Sequence, residues 1–186
     1  MKSGVRMLAL ASGPIYGRRR KRTLVVGVVG RAGVVEGVLS GRVTIDGDDS
    51  ASALIRMFRK SRFKEQIRAI VVNGIAMAGL NVIDVKAVED KAHVPLMVLT
   101  RIRPNVSDFM KALDNYGSTG NPVHERKSLV ERMNKERGFT KISGFYVQSG
   151  MKAAELKGIV PAAFELLRLA HLIARGISTG ISKGRV

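Results

Sequence analysis

The sequence predicts an α/β fold, and three observations predict it. Near the N-terminus, three branched apolar runs separated by glycine-bearing turns read as an antiparallel three-strand meander. Between Ile67 and Leu99 an apolar run, a helical pattern and a second apolar run alternate, as in a right-handed crossover between parallel strands. Residues 161–175 are apolar almost all round, which is the composition of a buried helix. These describe one domain spanning 1–186, a mixed sheet in which the meander is followed by parallel strands.

Taken in order, residues 5–10 form a short buried strand that Ser12-Gly13-Pro14 breaks, because proline lacks an amide donor and glycine frees the backbone. After Ile15-Tyr16-Gly17 come five consecutive cations, Arg18, Arg19, Arg20, Lys21 and Arg22. Leu24, Val25, Val26, Val28 and Val29 then carry a second strand. The cations therefore occupy the loop joining two neighbouring strands, where adjacent like charges repel unless an anion neutralises them. The chain turns at Gly30-Arg31-Ala32-Gly33 and returns through residues 34–39 and, after Ser40-Gly41, 43–45. Asp46-Gly47-Asp48-Asp49-Ser50 supplies a turn and acids suited to a helix N-terminus. In the helix over 51–60, Leu54, Met57 and Phe58 face inward and Arg56, Arg59 and Lys60 outward, a basic face that is either solvated or a second contact for phosphates.

Residues 68–72 read as a buried parallel strand ending at Asn73-Gly74. Asn81 is placed to cap a helix running to about Ala92, and residues 94–99 form the next buried strand. Arg101 and Arg103 flank Ile102 just past its end, where the loops of open sheets present ligands. A helix is expected over 104–113, a turn-rich connector over 115–122 and a charged amphipathic helix over 123–137. Residues 141–148 alternate as a strand, with Tyr146 either stacking or in the core. On the last helix Glu165, Arg168, His171 and Arg175 recur at spacings of three and four, a polar stripe that either pairs internally or meets a ligand.

The net charge of +17 and a pI near 11.0 are extreme for 186 residues, and cations outnumber acids in every quarter of the chain. So diffuse an excess suits a protein surrounded by polyanion, and the scarcity of acids argues against a thermophile-type network of surface ion pairs. There is no cysteine, which removes disulfides and thiolate metal sites, and three histidines are too few for a histidine-built zinc site. The expectation is no metal and no other cofactor. Without a signal segment or an apolar run long enough to span a bilayer, the expected location is the cytoplasm. An aromatic content of 5% with no tryptophan points to recognition of backbone or shape rather than stacked single strands.

Three segments carry a family resemblance. Arg6-Met7-Leu8-Ala9-Leu10-Ala11-Ser12-Gly13-Pro14, then Val71-Val72-Asn73-Gly74-Ile75 with Gly79-Leu80-Asn81-Val82-Ile83-Asp84, and Leu167-Arg168-Leu169-Ala170-His171-Leu172-Ile173-Ala174 resemble an archaeal family, domain of unknown function ninety-nine. That family is similar to endonuclease V, and the resemblance implies an RNase H-like fold. Nucleases of this kind place carboxylates at the ends of the first strand and of the first crossover strand to hold divalent ions. The matching positions here are Ala11, Ser12 and Asn73, and His171 stands where the nuclease typically has an acid. The resemblance thus implies a degenerate former active site, Ala11, Ser12, Asn73, His171 and Asp46, beside accumulated cations.

The resulting expectation is a non-catalytic, nuclease-like protein that binds nucleic acid, RNA before DNA and ribosomal RNA by conjecture. Arg18, Arg19, Arg20, Lys21, Arg22, Arg101 and Arg103 would meet the phosphates. One rival is an interaction subunit of a ribonucleoprotein or ribosome. The other is a metal-dependent nuclease with a rearranged set, Asp46, Asp84 and His171.

Overall fold

A computed structural model describes residues 4–15 and 21–182. Strands β1 (Arg6–Ser12), β2 (Arg22–Arg31) and β3 (Val34–Thr44) form the expected antiparallel meander, with Met7 opposite Gly30 and Ser12 opposite Val25. The returning strand, expected as segments 34–39 and 43–45 on either side of Ser40-Gly41, is unbroken over Val34–Thr44, and Gly41 within it lies against the Met57 side chain. Helix α1 (Ser50–Lys60) follows, then a 3₁₀ turn at Lys64–Gln66 and β4 (Ile67–Val72), which returns parallel to β1.

After β4 a small hairpin, β5 (Ala76–Met77) with β6 (Asn81–Val82), precedes α2 (Val85–Ala92) and β7 (Leu96–Thr100), which is parallel to β4. The cap of α2 is therefore Asp84, whose carboxylate accepts from Ala87 N at 3.1 Å, and not Asn81, which is buried in β6. Helices α3 (Val106–Gly117) and α4 (His124–Glu136) come next. The single strand expected over 141–148 is a hairpin, β8 (Thr140–Ile142) and β9 (Phe145–Gln148), turned by Ser143 and Gly144 at φ 50° and 86°. The last helix, α5 (Ala153–Thr179), begins eight residues before Pro161 and outruns Arg175. Pro161 is exposed, so the helix carbonyl it leaves without a donor can be hydrated.

The seven strands lie in the order β3-β2-β1-β4-β7-β9-β8. This is the mixed sheet expected, an antiparallel meander followed by parallel strands, with helices on both faces. Alternation along the strands divides the core into two layers. Leu8, Leu10, Ile70 and Val72 meet α1, α2, α3 and α4 on one face, while Ala9, Ala11, Ala69 and Val71 meet α5 on the other. Helix α5 is buried on that face only, and its outer side carries the ion pair Arg168–Glu165 at 2.8 Å, so part of the polar stripe pairs internally. Among the described residues no helix is long and apolar enough to cross a membrane.

Candidate nucleic-acid interface

Because β1, β4 and β7 run parallel, their carboxyl ends share one edge of the sheet, and antiparallel β2 begins there. The pairing of Leu10 with Val72 places Ala11-Ser12 and Asn73 at neighbouring strand ends, as the resemblance requires. Ala11 is buried against α5 with Ala170 and Ala174. Ser12 points to the opposite face, where its hydroxyl accepts from Ala78 N at 3.4 Å. Asn73 is exposed. None of the three supplies an anionic oxygen.

Asp46 stands near these ends and is tied into the neighbouring loop. Its backbone is left-handed at φ 51°, its N–H donates to Ala78 O at 3.0 Å, and its carboxylate accepts from Leu80 N at 2.8 Å. Gly79, at φ 86°, leaves room for that carboxylate, since a Cβ there would collide with Asp46 Oδ1. Ser12 and Asp46 together pin the β5–β6 loop. A second clasp lies beside it: the Asp49 carboxylate accepts from Thr44 N, Thr44 Oγ1 and Asn81 Nδ2, at 2.9, 3.0 and 2.9 Å. Burial opposes the Asp49 charge, but these hydrogen bonds, with Arg22 at 3.6 Å, outweigh it and hold the carboxyl below its usual range.

Hard divalent cations need several charged oxygens. Among the described residues no three of histidine, aspartate and glutamate are grouped to hold a metal. The set Asp46, Asp84 and His171 is not among such groups. Asp84 caps α2 and accepts from Arg132 at 2.9 Å, while His171 belongs to the helix on the other face of the sheet. Burial, aided by the Arg175 charge, lowers the His171 pKa and favours neutral imidazole. The residues at the strand ends therefore do not fit the divalent ion that a nuclease of this fold would employ.

The cations are arranged on either side of these neutral ends. Lys21 precedes β2 and Arg22 opens it; Arg18, Arg19 and Arg20 lie outside the described residues. Arg22 is half exposed, donates to the main-chain Arg42 O at 3.1 Å, and lines a cleft together with Arg42, an exposed residue the sequence reading passed over. The missed signal was the parity of Arg42 within an unbroken β3. Beyond β7, Arg101 is exposed with its guanidinium 4.7 Å over the Phe164 ring, and Arg103 lines a shallow cleft with Asn134 and Phe139. Strands β2 and β7 are three interstrand steps apart, roughly 14 Å. Along this edge the strand ends thus run cations, neutral Ser12 and Asn73, then cations, with the Asp46 and Asp49 carboxylates beside them engaged in hydrogen bonds. Tyr146, the other candidate contact, is half-buried in β9 with the Lys141 ammonium 5.9 Å from its ring centroid.

A cleft between α2 and α4 differs in kind. Its charged lining residues are Lys86, Arg132 and Arg137 with Glu89, Asp90 and Glu136, so it is neutral overall. Glu89 and Arg137 pair through two hydrogen bonds of 2.9 Å. In so basic a chain this is no phosphate site.

Comparison with known proteins places this geometry. A family model described as endonuclease dU matches residues 3–178. The chain belongs to the endonuclease dU family. An archaeal relative, the UPF0215 protein of Archaeoglobus fulgidus, is 33% identical over 178 residues, covering 89% of this chain and 91% of its own length. A crystal structure from A. fulgidus, described as a protein of unknown function, superposes with a TM-score of 0.81 at 30% identity over 93% of this chain and 98% of that one. Endonuclease V of Ciona intestinalis, solved with DNA containing an inosine, gives a TM-score of 0.45 at 9% identity over 83% of this chain and 77% of its own. The family expected from the three sequence segments is the one found.

Proposed function

We propose that this member of the endonuclease dU family is a nucleic-acid-binding module that holds the phosphate backbone without cutting it. The observation that carries the reading is the carboxyl edge of the sheet, where Lys21, Arg22 and Arg42 on one side and Arg101 and Arg103 on the other flank strand ends without carboxylates. Arginine suits this task, since its planar fork can grip a phosphate through two donors. Guanidiniums spread along an edge meet successive phosphates and read no base, so the binding is largely independent of sequence. Structured RNA is the preferred partner in this reading, because few aromatic residues are present to stack unpaired bases. Seated on ribosomal or other structural RNA, the same edge would serve a ribonucleoprotein. The chemistry of the family name would need a metal site that these residues do not supply.

The test is the salt dependence of binding to a labelled structured RNA and to a DNA duplex, for the parent and for a triple Arg22→Ala, Arg42→Ala, Arg101→Ala variant. Each lost phosphate contact should flatten the log–log slope by about 0.9, so the variant's slope is expected to be shallower by about two to three. An unchanged slope overturns the assignment of the grip. Cleavage of uracil-containing DNA in magnesium or manganese overturns the non-catalytic reading.

A further inference from the structure

The densest run of cations among the described residues lies outside the edge just discussed. Between positions 56 and 68 stand Arg56, Arg59, Lys60, Arg62, Lys64 and Arg68 against one acid, Glu65, and all seven are exposed. They occupy the C-terminal half of α1, the 3₁₀ turn and the start of β4, where Ile67 pairs with Arg6 at the beginning of β1. This corner is therefore at the amino edge of the sheet, opposite the carboxyl edge. The seven residues of β1 separate the two edges by roughly 20 Å.

The helix dipole accounts for only part of the corner. Arg59 and Lys60 complement the carbonyl end of α1, but Arg62, Lys64 and Arg68 lie beyond it. Internal pairing accounts for little more. Of these six cations only Lys64 meets an acid among the described residues, Glu65 at 3.8 Å, whereas the nearby Arg6 and Arg31 are both committed to Glu36. Two of the arginines are also held in position. The Arg62 guanidinium lies 4.7 Å over the Phe63 ring, and Arg68 Nη1 donates to Glu65 O at 3.3 Å. Guanidiniums fixed in this way lose less freedom when they accept a phosphate than free side chains do.

We infer that this corner is a second phosphodiester-backbone site, so that one molecule bridges two nucleic-acid segments from opposite ends of its sheet. The inference rests on the nucleic-acid reading above and adds a second contact to it. The apolar rims that would favour a protein partner are lacking in this stretch, where every exposed side chain from Arg56 to Arg68 is charged or polar.

A bridge is measured by immobilising one DNA duplex and adding a second, fluorescent duplex together with protein. The corner variant carries Arg59→Ala, Arg62→Ala and Arg68→Ala, all at exposed positions, and a control carries lysine at the same three. The parent should capture the second duplex. The alanine variant should still bind the immobilised duplex, lose capture by about tenfold or more, and regain it in the lysine control, since the contact is electrostatic. Parental binding without capture, or capture that survives the alanine variant, overturns the bridge and leaves the carboxyl-edge reading intact. Failure of the parent to bind any nucleic acid overturns both.

Discussion

Asp46 shows what a single residue can conceal. In the sequence it is an acid near a degenerate nuclease site; in the structure its carboxylate is bonded to Leu80 N, and the φ of 51° that makes this contact possible leaves no trace in the residue type. Only Gly79, which must lack a Cβ to admit the carboxylate, hints at it. Replacing Asp46 with alanine is expected to cost about 1–2 kcal/mol of stability, the loss typical when a partly buried amide loses its acceptor. Nucleic-acid affinity should stay near the parent value. Chemical denaturation beside a binding titration checks both, and a large loss of affinity at unchanged stability would return Asp46 to the functional site. That Ala11, Ser12 and Asn73 are neighbours was implied by the family resemblance alone, because the crossover pattern joins β4 to β7 and says nothing of β1, whose parallel pairing with β4 brings those ends together. Arg42 was not legible, because Ser40-Gly41 reads as a break until Gly41 is seen packed on Met57.

At the scale of elements, the meander, the crossover and the two core layers were readable from apolar runs and their periods. The boundaries that failed did so for identifiable reasons. Ser143-Gly144 adopts a left-handed turn inside what alternation presents as one strand, and α5 extends past Pro161 because a helix tolerates proline at an exposed position when the freed carbonyl can be hydrated. Asn81 was expected to cap a helix and instead ties three elements together. Fully buried in β6, it donates to Thr44 O and Asp49 Oδ1, both at 2.9 Å, and accepts from Ser50 N at 3.1 Å, linking the end of β3, the start of α1 and the β5–β6 hairpin. Asn81→Ala would strand the buried Ser50 N–H and remove a donor from the Asp49 carboxylate, at an expected cost of about 2–4 kcal/mol. The same change in an Asp49→Ala background should cost clearly less, because the two side chains act as one unit. Additive losses in a double-mutant cycle would show that the clasp is two independent contacts.

For the whole molecule, charge and shape oppose each other at the sheet edge. The edge strand β3 is eleven residues long, and Val34, Val35 and Val38 on it are exposed. A long edge with unpaired backbone groups and apolar side chains invites pairing with a second copy, and proteins usually blunt such edges with charge. Here Glu36 is shared by Arg6 and Arg31 and Arg42 stands four residues beyond Val38, so no free charge lies among the valines and the main deterrent is the global charge of +17. Like-charge repulsion between copies is screened by salt, with a Debye length of about 10 Å at 0.1 M and about 3 Å at 1 M. Sedimentation velocity should therefore find the monomer at low salt and association rising with ionic strength, the reverse of nucleic-acid binding, which salt weakens. Val38→Lys places a charge at the middle of the edge and should suppress association at every salt concentration while leaving the carboxyl-edge grip untouched. A monomer that persists to 1 M salt would mean that the twist of the β2–β3 ribbon already protects the edge, and that the charge serves its anionic partner alone.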